Sequence, residues 1–253
     1  HSLSALCPLL SRLLAFHIIV YFHRKVKSVL TGFPMSAVLC YDKQSFKYAS
    51  ERILLMNYKH IIFDFGNVLA TFQSDDLLRS YCNREDLPIL KNAIYHNWQA
   101  LDEGSIPYEE YQEETLHLLP DCLHDTARKC FATWYQHMIP IQPVWDMIHR
   151  LKEQHTGLYI LSNAPIFFEE HADFFEITRL FDGAVYSGSI KKFKPNPDIY
   201  QHLFDTFSLN PSDCFFMDDK PENIKAAQKL GMNGMVFTGE NLSEIKHAIG
   251  LEE

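Results

Sequence analysis

The chain has 253 residues, of which 47% are hydrophobic and 22% are charged, and this composition is ordinary for a globular protein. Ten glycines and twelve prolines are too few for a low-complexity or collagen-like chain. The net charge of −9 argues against a broad basic face, so we expect no nucleic-acid partner.

The charge is divided unevenly along the chain. Residues 1–55 hold seven Lys or Arg and two acidic residues. Residues 56–253 hold 16 Lys or Arg and 30 acidic residues. The one long apolar stretch, residues 8–22, is short for a membrane span and contains Arg12, so we expect no membrane anchor. We favour an extension over 1–55 that is not native to the fold, with a compact domain starting near Met56. A short packed helix over 8–22 is the alternative.

Six cysteines are scattered along the chain without a CxxC pair or a zinc-site spacing. This usage predicts free thiols in a reducing compartment, and we therefore expect a cytoplasmic protein.

Short apolar runs after Met56 predict five strands, at residues 60–65, 157–162, 183–188, 214–219 and 234–237. Helical patterns lie between them, over residues 144–155, 196–207 and 221–231. Strands that alternate with helices are typical of βαβ units. The sequence therefore predicts an α/β fold with a Rossmann-like, doubly wound parallel sheet.

The stretch between the first two predicted strands contains only helical patterns, at residues 75–82, 86–104, 107–119 and 124–138. An insertion of this size predicts a second module. We expect a core of residues 56–74 and 140–253 and an inserted α-helical cap of residues 75–139. Because the insertion follows the first strand, the cap would lie over the carboxyl ends of the strands, where α/β sheets bind ligands.

Polar side chains follow three of the predicted strands and should converge at that edge of the sheet: Asp64, Ser162, Asn163, Asp218 and Asp219. Clustered carboxylates repel one another unless one is protonated or a cation binds. Mg²⁺ is the hard divalent ion that suits such oxygen ligands. A nearby lysine, Lys194, and the neutral donors would complete a site for a phosphoryl group, with one carboxylate free to act as a nucleophile.

Four segments occur in the order of the four motifs of the haloacid dehalogenase superfamily and resemble them: DFGNV (64–68), SN (162–163), KPNPDIY (194–200) and DDKPEN (218–223). The resemblance covers about residues 57–250, and residues 98–104 resemble part of the helical cap. The nearest branch is similar to bacterial sugar-1-phosphate phosphatases. The resemblance implies a Mg²⁺-dependent phosphatase that acts on a small phosphorylated metabolite, such as a sugar-1-phosphate, through an aspartyl-phosphate.

The resemblance also implies roles at the phosphate. Asp64 matches the nucleophile, and Ser162 and Asn163 match the phosphate contacts of the second motif. Lys194 matches the catalytic lysine that neutralises nucleophile and phosphate.

The metal ligands implied by the resemblance are Asp64, the backbone carbonyl of Gly66, and Asp219, with Asp218 in support. Asn223 occupies the position that steadies the metal shell.

Gly66 is a departure from most phosphatases of the superfamily, which have an Asp there as general acid and base. Such an acid is typically worth about 10²–10⁴-fold in rate. Three explanations remain open. The substrate has a good leaving group, as in a sugar-1-phosphate or an acyl phosphate. Or the cap supplies an acid, with Asp102, Glu103 and His96 as candidates. Or the protein is weakly active and acts as a binding protein.

A 2-haloacid dehalogenase is the alternative enzyme, because those proteins also lack the second Asp. They need a cation for the halide soon after the nucleophile, and residues 71–76 offer no base before Arg79. A non-catalytic binding protein on the same fold is the alternative of a different class, and the presence of Asp64, Lys194 and Asp219 argues against it.

Overall fold

The computed structural model of the protein describes residues 57–251. The expectations for residues 1–55 lie outside this part of the chain. Across residues 57–251, no helix is both long enough and apolar enough to cross a membrane.

A five-stranded parallel sheet forms the centre of the fold, and its strands are β1 (His60–Phe63), β2 (Gly157–Ser162), β3 (Gly183–Tyr186), β4 (Cys214–Asp218) and β5 (Asn233–Val236). The strand order is β3-β2-β1-β4-β5, so β1 is the middle strand. Its first residue, His60, pairs with Gly157 on one side and with Cys214 on the other. All five predicted strands are present, and the predicted parallel sheet is confirmed.

The α-helices of the described residues are α1 (Ser74–Arg79), α2 (Leu87–Ile94), α3 (Trp98–Asp102), α4 (Tyr108–His117), α5 (His124–Thr133), α6 (Gln142–Glu153), α7 (Ile166–His171), α8 (Ser187–Ile190), α9 (Pro197–Phe207), α10 (Pro221–Lys229) and α11 (Leu242–Ile249). Helices α7, α8 and α11 were not predicted from the sequence.

Both faces of the sheet are covered, as the doubly wound prediction requires. Side chains alternate along β1, so Ile61 and Phe63 lie on one face and Ile62 on the other. The first face packs against α6 and α11, and the second packs against α9 and α10, through these buried residues: Met147, Ile148, Ile245, Ile199, Leu203 and Ile224. Burial on both faces explains why the strands are continuous apolar runs.

Helices α1 to α5 lie between β1 and α6 in the chain. Their buried residues, such as Leu90, Tyr111 and Phe131, belong to the same apolar cluster as Ile61 and Phe63 of the sheet. The insertion therefore shares its apolar core with the first face of the sheet.

The predicted helix over residues 86–104 is in fact two helices, α2 and α3. The Tyr111 hydroxyl replaces the helical bonds at the break. It donates to the Ile94 carbonyl at 2.8 Å and accepts from the Asn97 backbone N–H at 3.3 Å. This contact comes from a residue of α4, so the local sequence of 86–104 does not reveal it.

Candidate active site

The carboxyl ends of the central strands meet at one pocket. Asp64 follows β1, Ser162 ends β2, and Asp218 ends β4. Of the residues that the sequence predicts for the site, the pocket lining includes Asp64, Gly66, Ser162, Asn163, Lys194, Asp219 and Asn223. Asp218 is fully buried and is not part of the lining.

Asp64 is held at the base of the pocket by two contacts to the same oxygen. Its Oδ1 accepts the Phe65 backbone N–H at 2.7 Å and lies 2.9 Å from Lys194 Nζ. Within residues 57–251, no hydrogen bond is made to Oδ2. One carboxylate oxygen is therefore fixed, and the other is available for attack on an electrophile.

The charges of Asp64 and Lys194 depend on each other. Burial raises the pKa of Asp64 to about 6, Lys194 opposes the rise, and the nearby Asp218 adds to it. Burial lowers the pKa of Lys194, but the carboxylates of Asp64 and Asp218 outweigh this effect and raise it above its ordinary value. Lys194 is therefore a cation, and it holds two acidic groups in a dry site.

Asp218 is fully engaged in hydrogen bonds. Its Oδ2 lies 2.7 Å from Lys194 Nζ, and Asn223 Nδ2 donates to Oδ1 at 2.9 Å and to Oδ2 at 3.0 Å. The Lys220 backbone N–H adds a bond to Oδ1 at 2.8 Å. This arrangement suits Asp218 to orienting Lys194 from below the pocket.

The Asn163 side chain does not face the pocket as a free donor. Its Nδ2 donates to the Lys194 carbonyl at 2.8 Å, and its Oδ1 accepts the Lys194 backbone N–H at 2.8 Å. These reciprocal bonds join the loop after β2 to the loop that carries the lysine. A contact from Asn163 to phosphate would come from its backbone.

Asp219 lies next to Asp218 in sequence but is only partly buried and lines the pocket. Burial raises its pKa above the ordinary value, and a hydrogen bond from the Asn67 side chain opposes this rise. That bond, from Nδ2 to Asp219 Oδ2, is 3.1 Å long. Asn67 has a φ of 57°, a left-handed conformation that Asn adopts more readily than most residues.

Carboxylate oxygens of Asp64, Asp218 and Asp219 lie within 4.8 Å of one another. Oxygen ligands at this spacing are the donor set of a hard divalent cation. Because Asp218 is committed to Lys194 and Asn223, the residues best suited to hold such an ion are Asp64 and Asp219.

Gly66 has room for a side chain. Its φ lies outside the left-handed region, and a Cβ there would be 3.7 Å from Phe72 Cβ, an ordinary contact distance. The missing carboxylate at this position is therefore not imposed by the backbone.

The outer wall of the pocket is aromatic and was not predicted from the sequence. Phe72, Trp98, Trp134 and Phe168 line it. Trp134 lies between the others, with its ring centre 5.5 Å from Trp98, 5.7 Å from Phe72 and 5.5 Å from Phe168. Three of these rings belong to the segment between β1 and α6, so tertiary packing rather than a sequence motif assembles the wall.

Among the three candidate acids, the structure brings only Asp102 into this pocket. Glu103 lines a neighbouring cavity and accepts a hydrogen bond from Gln99 Nε2 at 2.6 Å. His96 stacks on Tyr111 with ring centres 4.6 Å apart and does not line the pocket.

Curated relatives of the chain are phosphatases and related hydrolases. It is 26% identical over 204 residues to the sesquiterpene phosphatase astK of Aspergillus oryzae, covering 76% of this chain and 97% of that protein. It is 24% identical to flavin mononucleotide hydrolase 1 of Arabidopsis thaliana, over 55% of this chain and 56% of that protein.

Solved structures show the same fold. An enzyme of the haloacid dehalogenase family from Bacteroides thetaiotaomicron, in complex with magnesium and inorganic phosphate, matches with a TM-score of 0.58 at 21% identity, over 74% of this chain and 98% of that one. The L-2-haloacid dehalogenase of Xanthobacter autotrophicus matches with a TM-score of 0.55 at 18% identity, over 78% and 90%. The family model described as haloacid dehalogenase-like hydrolase matches residues 61–237, and the chain therefore belongs to the haloacid dehalogenase-like hydrolases.

Proposed function

We propose that this hydrolase is a Mg²⁺-dependent phosphatase that transfers the phosphoryl group of a small monoester to Asp64 and then to water. The observation that carries the proposal is the state of the Asp64 carboxylate. Its Oδ1 is held by Lys194 and the Phe65 N–H, while Oδ2 is left for attack at the base of the pocket. The phosphatase names of its relatives support the same reaction class.

The residues present suit the metal that this reaction uses. We assign Asp64 and Asp219 as its side-chain ligands and the Gly66 carbonyl as a backbone ligand, with Asp218 and Asn223 in support. When bound, Mg²⁺ would neutralise charge on the phosphoryl oxygens. Lys194 would neutralise the remaining charge, and Ser162 would donate to the phosphate.

The segment of residues 75–139 would act as a cap, because Trp98 and Trp134 from this segment line the pocket above Asp64. Its aromatic side chains would contact the part of the substrate that leaves with the oxygen. This arrangement favours a small phosphorylated metabolite over a macromolecule.

Two classes of phosphate ester are candidate substrates for this pocket. A sugar-1-phosphate is the class favoured by the missing acid at Gly66, because its leaving group departs readily. A phosphate ester of an apolar or planar alcohol is the class favoured by the rings of Phe72, Trp98, Trp134 and Phe168, since these rings give an apolar surface with few hydrogen-bonding groups.

The dehalogenase alternative is weaker in this pocket. A departing halide needs a cation, and the lysine beside the nucleophile, Lys194, already pairs with Asp64 and Asp218. The carboxylate of Asp219 in the lining would repel the halide.

A panel of phosphate esters, assayed with Mg²⁺ and with excess EDTA, tests the proposal. It should include sugar-1-phosphates, sugar-6-phosphates, prenyl phosphates and aryl phosphates, with 2-chloropropionate as the dehalogenase substrate. We expect phosphate release that requires Mg²⁺ and no halide release. Metal-independent halide release without phosphatase activity would replace the proposal with the alternative.

A further inference from the structure

We propose that Asp102, at the end of α3, is the general acid and base that Gly66 cannot supply. The proposal rests on the phosphatase function proposed above. It changes what that function requires of the substrate, because an enzyme with its own acid does not need an activated leaving group.

The carboxyl group of Asp102 lies in the pocket with one oxygen unpaired. Asp102 lines the pocket together with Asp64 and Lys194. Its Oδ1 is buried, yet it has no hydrogen-bond partner, which among the described residues is otherwise found only for His60 Nδ1. A buried carboxyl oxygen without a hydrogen-bond partner destabilises the fold unless a ligand forms a hydrogen bond with it. The leaving oxygen of a substrate bound at Asp64 is such a ligand.

The backbone of Asp102 is fixed to the core through Ser187. The Ser187 hydroxyl donates to the Asp102 carbonyl and accepts the Ala164 backbone N–H at 2.9 Å. Ala164 follows the phosphate-site residues Ser162 and Asn163. The acid is therefore positioned by the same loop that forms the floor of the pocket.

A close approach of two glycines strengthens this attachment. Gly104 has a φ of +64°, and a Cβ on it would lie 2.1 Å from the Gly188 carbonyl oxygen. A Cβ on Gly188 would in turn lie 2.9 Å from the Ala164 carbonyl oxygen. The backbone after Asp102 thus packs directly on the backbone after Ser187.

The electrostatic surroundings of Asp102 are consistent with a proton on the group. Burial raises the pKa of Asp102 to about 8, and the charge on Asp64 acts in the same direction. Lys220, Lys194 and the nearby Trp98 side chain oppose the rise in the pKa. A general acid works best when its pKa lies near the working pH.

The two half-reactions balance with this assignment. In the first, Asp64 Oδ2 forms a bond to phosphorus, the bond from phosphorus to the leaving oxygen breaks, and the Asp102 proton passes to that oxygen, which departs as an alcohol. In the second, the Asp102 carboxylate accepts a proton from the water that attacks phosphorus. The bond from phosphorus to Asp64 breaks, and inorganic phosphate leaves with both carboxyl groups restored.

The test is the dependence of kcat/KM on leaving-group pKa, measured with Mg²⁺ over a series from p-nitrophenyl phosphate to alkyl phosphates. We expect a shallow dependence for the unmodified protein. Asp102→Asn should lower kcat/KM by about 10²–10⁴-fold for alkyl phosphates and by less than about tenfold for p-nitrophenyl phosphate, so that the dependence becomes steep. Glu103→Gln is the matched control and should leave the dependence unchanged.

Rescue adds a readout that a purely structural role of Asp102 would not give. Gly66 has space for a side chain, so Gly66→Asp in the Asp102→Asn background should restore part of the activity on alkyl phosphates and flatten the dependence again.

Three outcomes would overturn the assignment while leaving the phosphatase function intact: a steep dependence in the unmodified protein, an equal loss on all esters in Asp102→Asn, or a steepening in Glu103→Gln instead. The first of these needs no variant, so the assignment stays testable if Asp102→Asn does not fold. If the unmodified protein releases phosphate neither from this series nor from the wider panel of phosphate esters, the proposed function itself fails.

Discussion

Lys194 and Asp218 form an ion pair of 2.7 Å with both side chains almost completely removed from solvent. The same ammonium group lies 2.9 Å from Asp64 Oδ1. One lysine thus compensates two buried carboxylates, and its removal would leave both without a partner cation.

Lys194→Met should therefore destabilise the protein strongly. Breaking a buried ion pair by removing one partner typically costs about 3–5 kcal/mol. The measurement is the free energy of unfolding by urea in EDTA. Lys152→Met is the matched control, because Lys152 pairs with Asp182 at 2.6 Å but both side chains are over a third exposed. That variant should cost at most about 1 kcal/mol. Similar losses in the two variants would contradict the account of the buried pair.

Asp64→Asn should abolish turnover, because the amide is a far poorer nucleophile than the carboxylate. We expect kcat to fall by at least about 10⁴-fold on any accepted phosphate ester. Asp76→Asn, at an exposed residue of α1 that pairs with Arg79, is the control and should retain full activity. Substantial turnover in Asp64→Asn would rule out the covalent mechanism.

Mg²⁺ should raise the thermal stability of the protein, since an ion that binds only the folded state stabilises it. At 100 times its dissociation constant the gain is about 2.7 kcal/mol. Asp219→Asn should remove most of this shift, whereas Asp76→Asn should keep it. A melting temperature that does not respond to Mg²⁺ in the unmodified protein would count against a metal site at Asp64 and Asp219.

Gly104→Ala should destabilise more than Gly239→Ala. Both glycines have positive φ, so each substitution carries a similar backbone cost of about 1–2 kcal/mol. Only at Gly104 does the new Cβ collide with backbone, 2.1 Å from Gly188 O, while Gly239 has nothing within 4 Å. The difference in free energy of unfolding between the two variants measures the close approach alone. Equal free energies of unfolding for the two variants would mean that the backbone at Gly104 and Gly188 moves apart at little energetic cost.

A protein that begins at Met56 should fold and keep its activity. Asn57, at the start of the described residues, is already bound to the end of α11: its backbone N–H bonds to the Ile249 carbonyl at 3.0 Å, and its side chain bonds to the Ala248 carbonyl at 2.9 Å. Circular dichroism and the phosphatase assay check this expectation. An aggregated or unfolded product would show that residues 1–55 contribute to the fold.

Much of the core could be predicted from the sequence, because the strands are short apolar runs followed by acidic or polar residues. Lys194 follows no strand, and its place in the pocket is implied only by the resemblance of residues 194–200 to a family motif. The positions of Asp64 and Ser162 in the pocket follow from the strand pattern. The different environments of Asp218 and Asp219 do not, since adjacent identical residues at a strand end differ only in which side of the backbone they occupy. Asp218 binds Lys194 below the pocket, and Asp219 lines the pocket.

The other features that could not be predicted from the sequence depend on contacts between residues that are distant in the chain. The bonds from the Asn163 side chain to the backbone of Lys194 join residues 31 positions apart. The break between α2 and α3 depends on Tyr111 of a later helix. Asn67 gave a weak local signal, because an Asn after Gly in a loop is compatible with the left-handed conformation that it adopts.

The single apolar cluster that joins α1 to α5 with one face of the sheet has a consequence for cooperativity. Tyr111 and Trp134 of the insertion are buried in the same cluster as Phe63 and Met217 of the strands. Because this cluster is continuous, opening of the sheet exposes apolar side chains of the insertion to water as well. We therefore expect amide protons of α2 and α4 to exchange in the same global event as those of β1 and β4, with no separate melting transition for the insertion.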